Sequence, residues 1–291
     1  MHRTTRRIIF YICLCIFVAV SYVVILYAQG YRYSFAESRF TRTGALDVKV
    51  NTQARVYIDG EDRGATSFLS NVGGVDGLVP GTYTLSVRKD GYSVWQKKVT
   101  IEEGFVQHFP HVLILPQTGQ DAENVRQEIT ALLYPPIPSP TASASASPGI
   151  SPSKTPKPTA TKKPTISPSP TATPYPSAPF FIDKNTLYVQ GSDQPQAIAQ
   201  NVSTAYLSDD HQKVMWISGG QVWVYWISAA DYQPFHEAGD IAMIASFKSS
   251  IKAIAWFRDS DHIVADIGTS VSPLYKIVEL DTRGGLNTIS Y

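Results

Sequence analysis

Twenty-one consecutive residues, Ile8 to Ala28, carry no charge, and Arg3, Arg6 and Arg7 stand just before them. At about 1.5 Å of rise per residue, a helix of that length crosses the hydrocarbon core of a bilayer. The run is therefore expected to be a transmembrane helix over 8–28, with 1–7 as a short cytoplasmic N-terminus and the rest as a tethered ectodomain. A cleaved secretory signal is the competing reading, but its apolar region is shorter, about 7 to 15 residues, and ends at small residues. Here Leu26 occupies one of the two key cleavage positions, with Ala28 at the other. An uncleaved signal anchor is expected. Arg32, Arg39 and Arg42 lie beyond the run against Glu37 alone, so charge does not set the orientation. The N-terminus is placed inside because seven residues form nothing useful outside. Tyr22, Tyr27, Tyr31 and Tyr33 suit an aromatic belt at the outer interface. The expected location is the cell membrane, single-pass, with the bulk of the chain extracellular or periplasmic.

Charge is divided along the chain. Residues 1–43 carry six arginines and one acid, residues 44–116 seven bases and eight acids, and residues 180–291 seven bases and twelve acids. No segment expected to fold is basic, which argues against a nucleic-acid partner. Cys13 and Cys15 are the only cysteines. Two apart on a helix, they do not share a face, so they read as small packing residues within the span.

Between Pro135 and Pro179 the chain is almost pure Pro, Ser, Thr and Ala, and fourteen of its twenty prolines fall there. Such a stretch buries too little apolar area to offset the entropy of ordering. It is expected to be a disordered, largely polyproline II linker over 135–179, reaching on the order of 140 Å if fully stretched. It reads as a plain spacer or, equally on composition, as a glycosylated stalk or wall-crossing segment that holds the last domain far from the bilayer. Just before it, Val125, Ile129, Leu132 and Leu133 recur at helical spacing, and Asp121 can cap. This predicts a short helix over 121–133 packed on the first domain.

From Gly44 the pattern turns to period two. Leu46, Val48 and Val50 alternate with Asp47 and Lys49, and Val56 and Ile58 alternate with Arg55, Tyr57 and Asp59. Asp59-Gly60 and Asp90-Gly91 mark tight turns. About six strands over 44–116 suit a small β-sandwich. The segment resembles the PEGA domain family. The residues that carry the resemblance are Gly44-Ala45-Leu46-Asp47-Val48, Val56-Tyr57-Ile58-Asp59-Gly60 and Gly64-Ala65-Thr66, then Leu78-Val79-Pro80-Gly81-Thr82-Tyr83, Lys89-Asp90-Gly91-Tyr92 and Val99-Thr100-Ile101. Thr52-Gln53-Ala54 replaces the namesake tetrapeptide, and FLSNVGGVDG lengthens the following loop. The resemblance implies a surface-associated, non-catalytic sandwich of envelope proteins.

After Pro179 the chain becomes aromatic. AYLSDDHQKVMWI, starting at Ala205, and AWFRDSDHIVADI, starting at Ala255, align at an offset of 50. Each is followed by another strand, VWVYWI at Val222 and LYKIVEL at Leu274, and NTLYVQ at Asn185 looks like part of an earlier unit. Periods of 40 to 50 with several strands point to β-propeller blades. Trp256 to Val264 resembles the WD40-like repeat of TolB-type propellers, keeping Trp256 and Asp259 of its turn. The fold class expected is thus an all-β ectodomain after one N-terminal transmembrane helix, a PEGA-like β-sandwich plus an incomplete β-propeller-like domain over 180–291 with two and a fraction blades.

No nucleophile elbow, phosphate loop or zinc spacing is present. His211 and His262 stand beside Asp210 and Asp261 in the two repeats, but acidic turns are ordinary in β proteins. No catalytic residue, metal ligand or cofactor is expected. The chain is not expected to be an enzyme. Binding through protein or glycan contacts, scaffolding or sensing at the cell envelope is the leading expectation; the alternative is an envelope hydrolase, a peptidase or glycosidase, with a propeller-type accessory domain. The expected partners are the membrane, through residues 8–28, an envelope protein or glycan, and a second copy through the C-terminal domain. Trp216, Trp223, Tyr225, Trp226 and Trp256 are expected to form an unusually aromatic edge, with Trp223, Tyr225, Trp226 and Trp256 as the candidate interaction surface. In VWVYWI, Val222, Val224 and Trp226 share one face, and Trp223, Tyr225 and Ile227 the other; a strand covered by neighbouring blades is apolar on both faces, and that buried reading outweighs an open face that binds another chain or a glycan.

Overall fold

A computed structural model describes residues 3–34, 38–135, 179–191, 194–269 and 271–291. Most of the expected 135–179 linker, residues 136–178, lies outside them, as do residues 1 and 2 of the expected cytoplasmic N-terminus.

The apolar run forms α1 (Arg3–Ala28), of which Thr5–Ala28 is long and apolar enough to cross a membrane. A small hairpin follows, β1 (Tyr31–Ser34) with β2 (Arg39–Arg42). Next comes a seven-stranded sandwich. One sheet has β3 (Gly44–Val50) between β6 (Val72–Leu78) and β9 (Val106–Val112), with β3 and β9 parallel. The other runs in the order β5 (Glu61–Ala65), β4 (Arg55–Ile58), β7 (Gly81–Arg88) and β8 (Trp95–Ile101). The period-two reading holds. Leu46, Val48, Val50, Val56 and Ile58 are buried between the sheets. Burying such a side chain fully is worth about 1.5–3 kcal/mol. Asp59 and Gly60 both have positive φ, 51° and 84°, which is how a two-residue hairpin loop matches the twist of its strands.

Helix α2 (Gly119–Leu133) starts two residues before its expected first residue. Thr118 rather than Asp121 stands at its N-cap, and Asp121 lies in the first turn. Val125 and Ile129 face inward as the helical spacing requires.

The C-terminal part is three antiparallel sheets, each a simple up-and-down meander. The first is β10 (Phe180–Asp183), β11 (Thr186–Val189) and β12 (Gln196–Gln200). The second is β13 (Ala205–Leu207), β14 (Lys213–Ser218), β15 (Gln221–Trp226) and β16 (Ile241–Ser246). The third is β17 (Ala253–Trp256), β18 (His262–Asp266), β19 (Tyr275–Glu279) and β20 (Thr288–Ser290). None of these sheets closes into a barrel. The 50-residue offset is visible as contact between neighbouring units: Trp256 Nε1 donates to the Tyr206 carbonyl at 3.2 Å, and the Asp210 N–H donates to Ser260 Oγ at 3.1 Å.

The sheets stack face to face. Leu187, Val202, Trp216 and Tyr225 fill the layer between the first and second. Val222, Val224, Trp226, Ile254, Ile263 and Val278 fill the layer between the second and third. The outer face of the third sheet, with Val264, Tyr275 and Ile277, packs on Leu113, Leu115, Val125 and Ile129. One expectation is extended here. Helix α2 packs on the C-terminal sheets as well as on the end of the sandwich, and the last domain is seated on the first.

Candidate functional site

The expected aromatic edge is core. Trp216, Tyr225, Trp226 and Trp256 are buried, and Trp223 is half-buried, stacked on Trp216 with ring centroids 6.4 Å apart. The physical reason is the stacking of sheets. The two faces read from VWVYWI are both real, with Trp226 on the layer shared with the third sheet and Trp223 and Tyr225 on the layer shared with the first. Each face is covered, so the strand is apolar on both. His211 and His262 also part company: His211 sits exposed in a turn at a φ of 59°, whereas His262 is buried at the start of β18 with Nδ1 2.9 Å from Asp259.

The site that the fold does build lies along the seam between the sandwich and the third sheet. Strand β8 alternates without exception, so Lys97 shares the inward face with Trp95, Val99 and Ile101. Lys97 is fully buried, and its Nζ lies 2.7 Å from Glu279 Oε1 and 3.4 Å from Asp281 Oδ1. Trp95 Nε1 donates to Glu279 Oε2 at 2.8 Å, and Asn287 Nδ2 donates to Oε1 at 3.0 Å. With the Asn287 N–H also donating to Oε1 at 3.3 Å, the Glu279 carboxylate has a cation and three further donors, which a buried charge needs. The outer edge of β8 is covered too. The Lys98 N–H donates to the Gly284 carbonyl at 3.1 Å and the Gln96 N–H to Asn287 Oδ1 at 3.1 Å.

Strand β9 is covered by a different device. Gln233 accepts from the His108 N–H at 3.0 Å and donates to the Val106 carbonyl at 3.2 Å, so one side-chain amide pairs with the strand edge as a neighbouring peptide would. Arg283 fixes that amide. It donates to Gln233 Oε1 at 2.9 Å, to the His108 carbonyl at 2.7 Å and to Asp281 Oδ2 at 2.7 Å, and lies over the Phe109 ring at 4.5 Å. Covering both edges removes unpaired strand donors that would otherwise recruit another chain.

Between these two sets of contacts lies a narrow cleft with a cavity volume of about 20 Å³, room for about one water molecule. Rings of Trp95, Phe109, His111, Trp226, Tyr232 and His236 line it, with Asp261, Glu279 and Asp281 among them. His236 stacks on Trp226 at 3.7 Å, and His111 lies 4.8 Å from the Tyr232 ring. Tyr232 donates to Asp261 Oδ1 at 2.6 Å, and the buried Lys213 Nζ lies 3.0 Å from Asp210 and 3.6 Å from Asp261. Burial, then the charge and hydrogen bond of Asp261, push the Tyr232 hydroxyl far up, so it stays a donor. Asp259 behaves the opposite way. Burial pushes it up, but the hydrogen bond and charge of His262, the Asp261 N–H and the charge of His111 together hold it below the usual carboxylate range. Chemically the cleft offers ring faces and committed carboxylates. Asp261, Glu279 and Asp281 each have a cation or donor of this chain within reach.

Residues 46–114 match the PEGA domain. The chain carries a PEGA domain. It runs from the third residue of β3 to two residues past β9, within the 44–116 expected from the sequence. No curated protein matches the chain. The PEGA domain together with the apolar helix just before it fits a membrane-anchored, β-rich surface protein. The seam residues were not singled out from the sequence, although a signal was there: an alternating strand, WQKKVTI, that puts a lysine inward, and another, YKIVE, that puts Glu279 on the same face as Tyr275 and Ile277.

Proposed function

We propose that this is a single-pass cell-envelope protein, with its N-terminus in the cytoplasm and its β body outside, that works by binding rather than by catalysis. The observation that carries this reading is the seam. The PEGA sandwich and the C-terminal sheets share buried partners across Lys97, Trp95 and Glu279, which makes one binding body directly after the anchor helix. Trp95, Phe109 and Trp226 are buried within the seam, so the envelope glycan that we assign as ligand meets the half-buried rings of His111, Tyr232 and His236 at the rim of the cleft, where sugar C–H faces can stack. The cleft carboxylates Asp261, Glu279 and Asp281 are tied to Lys97, Arg283, Lys213 and Tyr232, which supports binding over glycoside or peptide hydrolysis.

The test is a titration of the detergent-solubilised chain with soluble envelope glycan fragments, read by tryptophan fluorescence. Saturable binding that is lost in Tyr232→Ala, without release of products, is the expected result. Turnover of the glycan, or binding indifferent to Tyr232→Ala, would overturn it. Orientation is checked separately by protease protection of residues after Ala28 in sealed vesicles.

A further inference from the structure

We propose that the base of the PEGA sandwich rests on the bilayer, with Phe105 and Val106 at the tip of the β8–β9 turn inserted at headgroup level. The inference rests on α1 being the membrane anchor. The helix does not simply lead into a free tether. Gln29 and Gly30 donate back to carbonyls of its last turn, and the Gly30 carbonyl then accepts from both the N–H and the Oγ1 of Thr43, at 2.9 and 2.8 Å. The hairpin β1–β2 is thereby pinched off at its root, and the sandwich begins at Gly44, one residue later.

That first residue touches the β8–β9 turn directly. A Cβ at Gly44 would meet Ile101 Cγ2 at 2.5 Å, the Glu102 carbonyl at 2.6 Å and the Phe105 carbonyl at 2.9 Å. The Ala45 N–H donates to the Phe105 carbonyl at 3.0 Å. From the last turn of the helix to Phe105 the path is thus three hydrogen bonds, Gly30 to Tyr27, Thr43 to Gly30 and Ala45 to Phe105, and two chain steps of about 3.8 Å each. The interfacial layer outside the hydrocarbon core is about 5–8 Å thick on each side. Phe105 is 63% exposed and Val106 43% exposed at this place. The hairpin adds more of the same chemistry, with Tyr33 edge-on to Phe40 at 5.3 Å.

Charge decides what kind of surface this is. Arg32 lies over the Tyr27 ring at 4.5 Å, and Arg42 lies over Gly104, in a turn that also carries Glu102 and Glu103. The three arginines of the hairpin region face Glu37 in the sequence and these two glutamates beside the turn. The base is near neutral. Apolar and aromatic burial therefore holds it, and the occupant is the interfacial zone of a bilayer whatever its headgroup charge.

The experiment uses the full chain in lipid nanodiscs, with Cys13→Ser and Cys15→Ser and one new cysteine carrying an environment-sensitive fluorophore. The cysteine replaces either Phe105 or Leu69, which is 92% exposed in the loop at the opposite end of the seven-residue β3, about 20 Å away. Brominated lipid is expected to quench the Phe105 site at least threefold more than the Leu69 site, equally in neutral and in anionic nanodiscs. Equal quenching at the two sites in a chain that resists carbonate extraction would overturn the docking alone. Quenching that appears only with anionic lipid would overturn the apolar mode proposed, in favour of headgroup binding by the arginines. Release by carbonate would overturn the anchor reading and the docking with it.

Discussion

Replacing Lys97 with Met keeps the length and apolar stem of the side chain and removes only its ammonium. Glu279 would then remain 5% exposed, with Trp95 and Asn287 still donating to it but no cation within 4 Å. Removing one partner of a buried ion pair costs about 3–5 kcal/mol, because the other charge stays buried and uncompensated. That is a large part of a domain's total, typically about 5–15 kcal/mol. For a folded body of this size, each kcal/mol lowers Tm by about 2–4 °C, so Lys97→Met is expected to lower it by about 6–20 °C. The double variant Lys97→Met, Glu279→Gln should recover much of the loss, since a neutral amide still accepts from Trp95 and no charge is left buried. The assay is thermal unfolding of the solubilised chain followed by tryptophan fluorescence, in which Trp95 reports on the seam itself. A loss below about 1 kcal/mol for the single variant, or a double variant as unstable as the single, would refute the claim that this pair joins the two halves.

Three further outcomes are expected. Gly284→Ala should weaken the seam by about 1–3 kcal/mol or more, because Gly284 has a φ of 65° and a Cβ there would meet the Lys98 carbonyl at 1.9 Å; chemical denaturation measures it. Proteolytic nicking between residues 136 and 178 should leave the two fragments co-eluting in gel filtration under native conditions and separating only in denaturant; separation on nicking alone would show that the seam does not hold. Asp259 is held below its ordinary value, so it contributes stability above the unfolded value of about 3.9, and that contribution is lost as pH falls through the folded value. Asp259→Asn should therefore be destabilised relative to the parent in urea at pH 7 and nearly equal to it near pH 2; an equal gap at both pH values would remove the group from the pH dependence.

The sandwich was legible because its strands are local statements. Leu46, Val48 and Val50 declare a face within five residues, and Asp59-Gly60 declares a turn within two. The layers around VWVYWI were legible for the same reason, down to which residues share a face. What those faces meet was not. Trp226 and Tyr225 read as a core strand covered by its neighbours or, with less weight, as an exposed edge, and the positions of the neighbouring sheets decide between them. The seam escaped for a related reason. Lys97 and Glu279 are 182 residues apart, and each alone is an oddity in an otherwise apolar alternation. Only together do they explain one another.

The proline-rich segment shows the same limit from the other side. Its composition fixes that it forms no core, yet a stalk and a long return loop have the same composition. Energy separates them. The entropy of bringing two distant parts of a chain together grows slowly, by only about 0.6 kcal/mol for each doubling of the separation. Against that stand Leu115, Ile129, Phe257 and Val264, each fully buried where α2 and the end of the sandwich meet the third sheet. At about 1.5–3 kcal/mol for each such side chain, any one of them outweighs such a doubling. These contacts, together with those along the edges of β8 and β9, are what seat the C-terminal sheets on the sandwich.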